Sequence, residues 1–176
     1  MINKNTEDYK EFHNIISDII DHQATQRMKK YRQHYECNCF EHCLAVSYYS
    51  YLICKKLHLD SKSMARAAML HDLFLYDWRV KHPDRKGFHA FTHPYSAYRR
   101  ASALFSLNKK EKDIIIKHMW PVTIIPPKYA ESFIITLVDK YCALSESYNY
   151  YAEKVVNKKL YRYASLLILL FFVHIP

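Results

Sequence analysis

Residues 63–77 read SMARAAMLHDLFLYD, and the fold turns on this run. Met64, Ala67, Ala68 and His71 recur at helical spacing on one face, while Ala65, Ala68, Met69 and Asp72 share the adjoining one. The spacing predicts a helix from Ser63 to about Leu73, capped by Asp60 or Ser61. Its apolar side carries an imidazole and a carboxylate. A lone carboxylate in such surroundings is costly unless it is paired or metal-bound.

Other polar residues sit where apolar ones belong. On a predicted helix over 109–119, Ile114 and Ile115 precede His118 by one turn. Asp139 interrupts the run FIITLVDKYCAL at 133–144, on a helix predicted over about 128–146. His42 lies among Cys39, Ala45 and Val46, on a helix predicted from about Phe40 to Leu57. Each alone has a plain reading, a hydrogen-bonded core histidine or a salt-bridged aspartate. Several inward imidazoles and carboxylates together satisfy one another best around cations.

The rest of the chain fits an all-α bundle of about six to seven helices. Residues 7–22 place Phe12, Ile15, Ile16, Ile19 and Ile20 on one side. Pro94 suits the first turn of a helix over 94–106, which leaves His93 at its N-cap, pushed out of the α region by the proline. Asn108 with Glu111 resembles a capping box. Pro121, Pro126 and Pro127 break the chain, and a last helix is expected over about 150–173. The 176 residues read as one domain with its core at about 35–147, the first and last helices packing on it.

Composition narrows the function. Gly87 is the single glycine, which excludes a phosphate-cradling P-loop and a GxGxxG dinucleotide turn. The net charge of +9 permits an anionic partner, although the basic residues form no block. The polar start MINKNTEDYK predicts a cytoplasmic protein with reduced thiols at Cys37, Cys39, Cys43, Cys54 and Cys142. The C-x-C-x3-C spacing of the first three lacks a zinc knuckle and a distant second pair. The apolar run ASLLILLFFV at 164–173 is half the length of a membrane span, so it is expected against the domain or in a homodimer interface.

His42, the doublet His71-Asp72 in AAMLHDLFLYD and Asp139 in LVDKYCAL follow the H…HD…D order, and the sequence thereby resembles the HD-domain superfamily of metal-dependent phosphohydrolases. The likeness spans about 35–147. His93 and His118 fall between the doublet and Asp139, as in the two-metal branches of the family. The resemblance implies that His42, His71, Asp72 and Asp139 hold one metal. Asp72 would bridge to a second, held by His93 and His118, and a metal-bridging hydroxide would attack phosphorus. Such mixed ligands suit two divalent transition metals (Fe, Mn, Zn or Ni) rather than Mg or Ca. The sequence lacks the HDIGK and GYP motifs of the cyclic-dinucleotide branch. In ligand order it is more similar to the small stand-alone branch that includes symmetrical diadenosine tetraphosphate hydrolases.

Substrate contacts are sought beside these ligands. Lys140, next to Asp139, contacts phosphate or is an ordinary solvated lysine. The loop over about 77–93 carries Arg79, Lys81, Arg85, Lys86 and His89, a basic lid or a plain connection. Trp120 stacks on a base or packs in the core. His13, His22, His34, His58, His82 and His174 receive no role. The leading expectation is an enzyme that hydrolyses a nucleotide or another small phosphoester. The alternative is a non-catalytic HD module that senses nucleotide or metal. A basic nucleic-acid binder is a third reading, and no specific nucleic-acid contact is expected.

Overall fold

The computed structural model describes residues 4–34, 36–80 and 87–156. Seven helices run through them: α1 (Glu7–Ile20), α2 (Gln23–Arg27), α3 (Cys39–Lys56), α4 (Ser61–Leu70), α5 (His89–Leu104), α6 (Lys109–Lys117) and α7 (Ala130–Val156). A 3-10 turn at Met28–Lys30 leads into a small antiparallel hairpin, β1 (Arg32–His34) with β2 (Cys37–Asn38). The protein is an all-α, HD-like bundle.

The helix starts follow local chemistry. Thr6 Oγ1 accepts the Tyr9 N–H at 3.2 Å, Asn38 Oδ1 that of Glu41 at 2.9 Å and Asp60 Oδ1 that of Ser63 at 2.9 Å. Asn108 and Glu111 form the expected reciprocal capping box on α6. Helix α4 is central. Met64, Ala65, Ala67, Ala68, Met69 and Leu70 are wholly buried, and α1, α3 and α6 pack around it, with α5 and α7 beside. The alanines let α3 approach closely enough for Ser47 Oγ to donate to the Ala65 carbonyl at 2.6 Å.

Four expectations change. Helix α5 begins at His89 rather than Pro94, so Pro94 lies within the helix and His93 is helical, not a cap. The local bias against helix before proline yields to packing: His93, Pro94, Ala97 and Ala101 form the buried face. Helix α4 ends at Leu70, not Leu73, and His71 is its C-cap. The helices expected over 128–146 and 150–173 are continuous as α7 through 156. Residues 145–150 (SESYNY) hold no proline or glycine, and Ser147 bonds back to Ala143 O at 2.7 Å within the helix. The stretch to 173 lies outside the described residues. Helix α2 and the hairpin were not foreseen, being too short to leave a periodic pattern.

Candidate metal centre

Five helices meet where the six candidate ligands gather. His42 lies in the first turn of α3, and His71 and Asp72 directly follow α4. His93 sits in the second turn of α5, His118 caps the C-terminus of α6, and Asp139 comes from α7. His42, His71, Asp72, His93 and His118 are at most 5% exposed. Their ligand atoms form overlapping triads: His42–His71–Asp72, His71–His118–Asp139 and Asp72–His93–His118.

Backbone carbonyls aim three of the rings. The Nδ1 of His71 donates to Ala68 O at 2.7 Å, that of His93 to His89 O at 2.9 Å and that of His118 to Ile115 O at 2.8 Å. A carbonyl only accepts, so the proton is on Nδ1 and each Nε2 turns inward. The Nε2 atoms of His93 and His118 then face each other at 2.8 Å. As neutral rings they present two opposed lone pairs. Asp72 lies between: Oδ1 is 3.3 Å from His93 Nε2 and 3.7 Å from His118 Nε2, and Oδ2 is 3.6 Å from His71 Nε2. Among the described residues, His71 Nε2 and Asp72 Oδ1 are buried without a hydrogen-bond partner.

His42 is held differently. Its Nδ1 lies 2.9 Å from Glu146 Oε1 and its Nε2 3.0 Å from Asp139 Oδ1. Burial pushes its pKa down, but the bonds to these two carboxylates hold it well above the ordinary value. His71 is also raised: burial is outweighed by Asp72 and Asp139. His118 is pushed down to about 3 by burial, with His71 and His93 adding to it. Burial alone would raise Asp72 and Asp139, yet the surrounding imidazoles hold both far below the carboxylate range.

Two other buried acids, Glu111 and Glu131, are paired with cations. Glu111 accepts from the Asn108 N–H at 2.8 Å and pairs with Arg66 at 3.2 Å; Glu131 accepts from Lys110 Nζ at 2.7 Å and the Asp60 N–H at 3.0 Å. Around Asp72 no lysine or arginine plays this part among the described residues. Orphaned nitrogen and oxygen acceptors converging in a buried cluster fit a divalent transition metal.

A cavity of about 220 Å³ opens onto the cluster and is lined in part by Asp72, His93, His118, Asp139, His89 and Lys140. The Lys140 ammonium is anchored on the Trp120 and Thr136 carbonyls, both at 3.1 Å, and burial lowers its pKa. His89 stacks between Trp78 and His93, at 5.5 and 4.6 Å between ring centroids. Arg79 lines an adjoining basin of about 360 Å³, and its guanidinium clasps Asp77 at 2.7 and 2.9 Å. Lys81, Arg85 and Lys86 lie outside the described residues. Trp120 packs edge-on against Phe133, at 5.5 Å between centroids.

Three residues of the site escaped the sequence reading. The Gln33 amide, from β1, donates to Asp72 Oδ2, and His34 lies beside His42 with ring centroids 5.2 Å apart. Neither carries a periodic signal. Glu146 had one: it follows Asp139 by two helical turns on the same face.

A family model, the HD domain, matches residues 39–144, more than half of the chain and all six candidate ligands. No curated protein and no solved structure matches. The chain belongs to the HD-domain family.

Proposed function

We propose that this HD-domain chain is a metal-dependent phosphohydrolase acting on a nucleotide or another small phosphoester. His42, His71, Asp72 and Asp139 hold one divalent ion in this reading, and Asp72 is shared with a second at His93 and His118. The observation that carries it is the set of buried acceptors, His71 Nε2, Asp72 Oδ1 and the opposed His93 and His118 Nε2 atoms. Iron, manganese, zinc or nickel suits these donors. When bound, the ions supply an activated water and neutralise charge on the phosphoryl oxygens.

The chain's own groups do the rest. Gln33 fixes the rotation of the Asp72 carboxylate. Lys140 stands on the cavity wall beside Asp139, where its ammonium meets an anionic oxygen. His89 closes the cavity on the α5 side, its ring braced by Trp78. Arg79, which lines the adjoining basin, supplies charge to phosphate lying farther out; Lys81, outside the described residues, is assigned the same role from its sequence position alone. The reaction is in-line hydrolysis without a covalent enzyme intermediate.

A homodimer and a cytoplasmic location belong to the same proposal. The five thiols are free, as a reducing compartment keeps them. No helix among the described residues is long and apolar enough to cross a membrane. The exposed side chains of Leu137, Tyr141, Leu144 and Tyr148 on α7 offer a face for a second copy.

Elemental analysis of the purified protein, beside a phosphate-release screen over a nucleotide panel with added Mn²⁺, tests the function. Bound transition metal with metal-dependent release supports it. Metal without turnover of any phosphoester would leave the sensor reading standing instead. Protein that takes up no metal defeats the enzyme and the metal sensor alike, and leaves only a module that senses nucleotide.

A further inference from the structure

We infer that Glu146 is a positioning residue for this centre: its carboxylate accepts the Nδ1–H of His42 and so presents His42 Nε2 to the ligand cluster. The inference rests on His42 being a metal ligand.

The argument begins with a difference among the four histidines. His71, His93 and His118 each donate Nδ1–H to a carbonyl three or four residues back in the chain. His42 alone uses a side chain from another helix, Glu146 Oε1 at 2.9 Å. Its ring spans from α3 to α7, between Glu146 on one nitrogen and Asp139 on the other. The two acids lie seven residues apart, about 10 Å along the helix axis, on one face of α7. Asp139 points to the cluster, and Glu146 reaches the nitrogen that faces away from it.

Glu146 is ill placed for any other task. Its side chain is 16% exposed, no lysine or arginine pairs with it among the described residues, and its Oε2 is buried without a hydrogen-bond partner. A carboxylate so desolvated needs a donor; the Cys37 thiol approaches it as well, but the bond of 2.9 Å is the one to His42. His34, His42 and Glu146 also form a triad of metal-binding types. His42 cannot serve an ion there as well: Nδ1 would have to lose its proton while Nε2 ligates on the other side, leaving an imidazolate. The carboxylate–histidine pair needs no such step. It sets the tautomer, stops ring rotation and raises the donor strength of Nε2.

The test uses the full chain as wild type, Glu146→Ala and Glu146→Gln, with Mn²⁺ affinity measured by calorimetry. Circular dichroism checks the fold of each. Glu146→Ala should bind its tighter ion about ten- to a hundredfold more weakly. Glu146→Gln should recover most of that loss, because its amide oxygen accepts the same Nδ1–H. Long-range ¹⁵N–¹H correlation on zinc-loaded wild type should show the His42 proton on Nδ1, a readout that needs no variant. The inference is overturned if Glu146→Ala binds within twofold of wild type, if alanine and glutamine weaken binding equally, or if the His42 proton is found on Nε2. Wild type that binds no metal would defeat the function proposed above and this inference together. The other three results sink the role of Glu146 alone.

Discussion

The two faces of α7 reverse the usual order of a surface helix. Inward, Asp139 and Glu146 stand among Ile135, Val138 and Cys142, which are buried. Outward, Leu137 is 69% exposed, Tyr141 66%, Leu144 71% and Tyr148 69%. Acids face the core and large apolar groups face water, against the hydrophobic effect on both sides. Among the described residues the inner acids Asp139 and Glu146 share one charge partner, His42, and the outer groups stay exposed. The inner face asks for cations and the outer face for a covering surface.

That contrast can be broken at several points. The largest effect belongs to the shared carboxylate: Asp72→Ala should lose both ions and all metal-dependent phosphate release, read by elemental analysis and a phosphate assay. Retained turnover would remove Asp72 from the centre that the inner face of α7 is held to serve. Next is the holoprotein's dependence on metal. A chelator should lower its melting temperature by several degrees, since stripped ligands remain buried and uncompensated. Asp139→Ala should show a smaller chelator shift than wild type, because only the ion at Asp72, His93 and His118 is left to strip. One step smaller, His93→Ala or His118→Ala should release the second ion first while the circular dichroism spectrum is kept. Full metal content in both variants reduces the centre to four ligands.

A third acid on the same helix sharpens the contrast. Burial would raise Glu131 and Asp60, but Lys110 and backbone N–H groups hold both below their ordinary values. A lowered carboxylate pKa gives stability above the unfolded-state pKa and loses it as pH falls through the folded one. Thermal stability should therefore hold down to about pH 5 and decline below about pH 4. Lys110→Met should make that acid decline shallower, and an unchanged slope would remove these acids from the explanation. The smallest change is expected outside: Leu144→Lys should alter monomer stability by no more than about 0.5 kcal/mol. Light scattering on the same variant should show the dimer mass of wild type reduced to that of a monomer. A wild type that is monomeric at the outset leaves the outer face to some other cover.

What the sequence disclosed of this inversion was its inner half. His71-Asp72, His118 and Asp139 stood out because helical periodicity is local, and a polar residue at an apolar position is visible within one turn. The outer half was hidden by the same rule. FIITLVDKYCAL reads as a core run, and nothing in it separates Ile135, which is buried, from Leu137, which is not. His93 lies in the cluster but in a helix rather than at its N-cap, because packing that no single sequence displays overrides the local proline bias. Gln33 and His34 approach the cluster on a hairpin whose two strands hold five residues, a contact made across the fold. Glu146 was legible as a position and missed as a partner, since its counterpart is on α3, 104 residues away.

The tethering of three imidazoles to their own backbone has a consequence for how this protein can vary. His71 and His118 stand at the last turns of α4 and α6, each ring fixed by a carbonyl three residues upstream. Their aim is a matter of helix phase, not of which side chains surround them. Exchanging one apolar residue for another along α4 or α6 leaves that phase alone. Deleting a single residue from α6 turns its end by about 100° and draws it back about 1.5 Å. His118 then points out of the cluster while its own hydrogen bond stays intact. The centre is accordingly permissive of substitution and strict about length, so in these two helices a change in residue count, rather than in residue type, should be the lethal lesion.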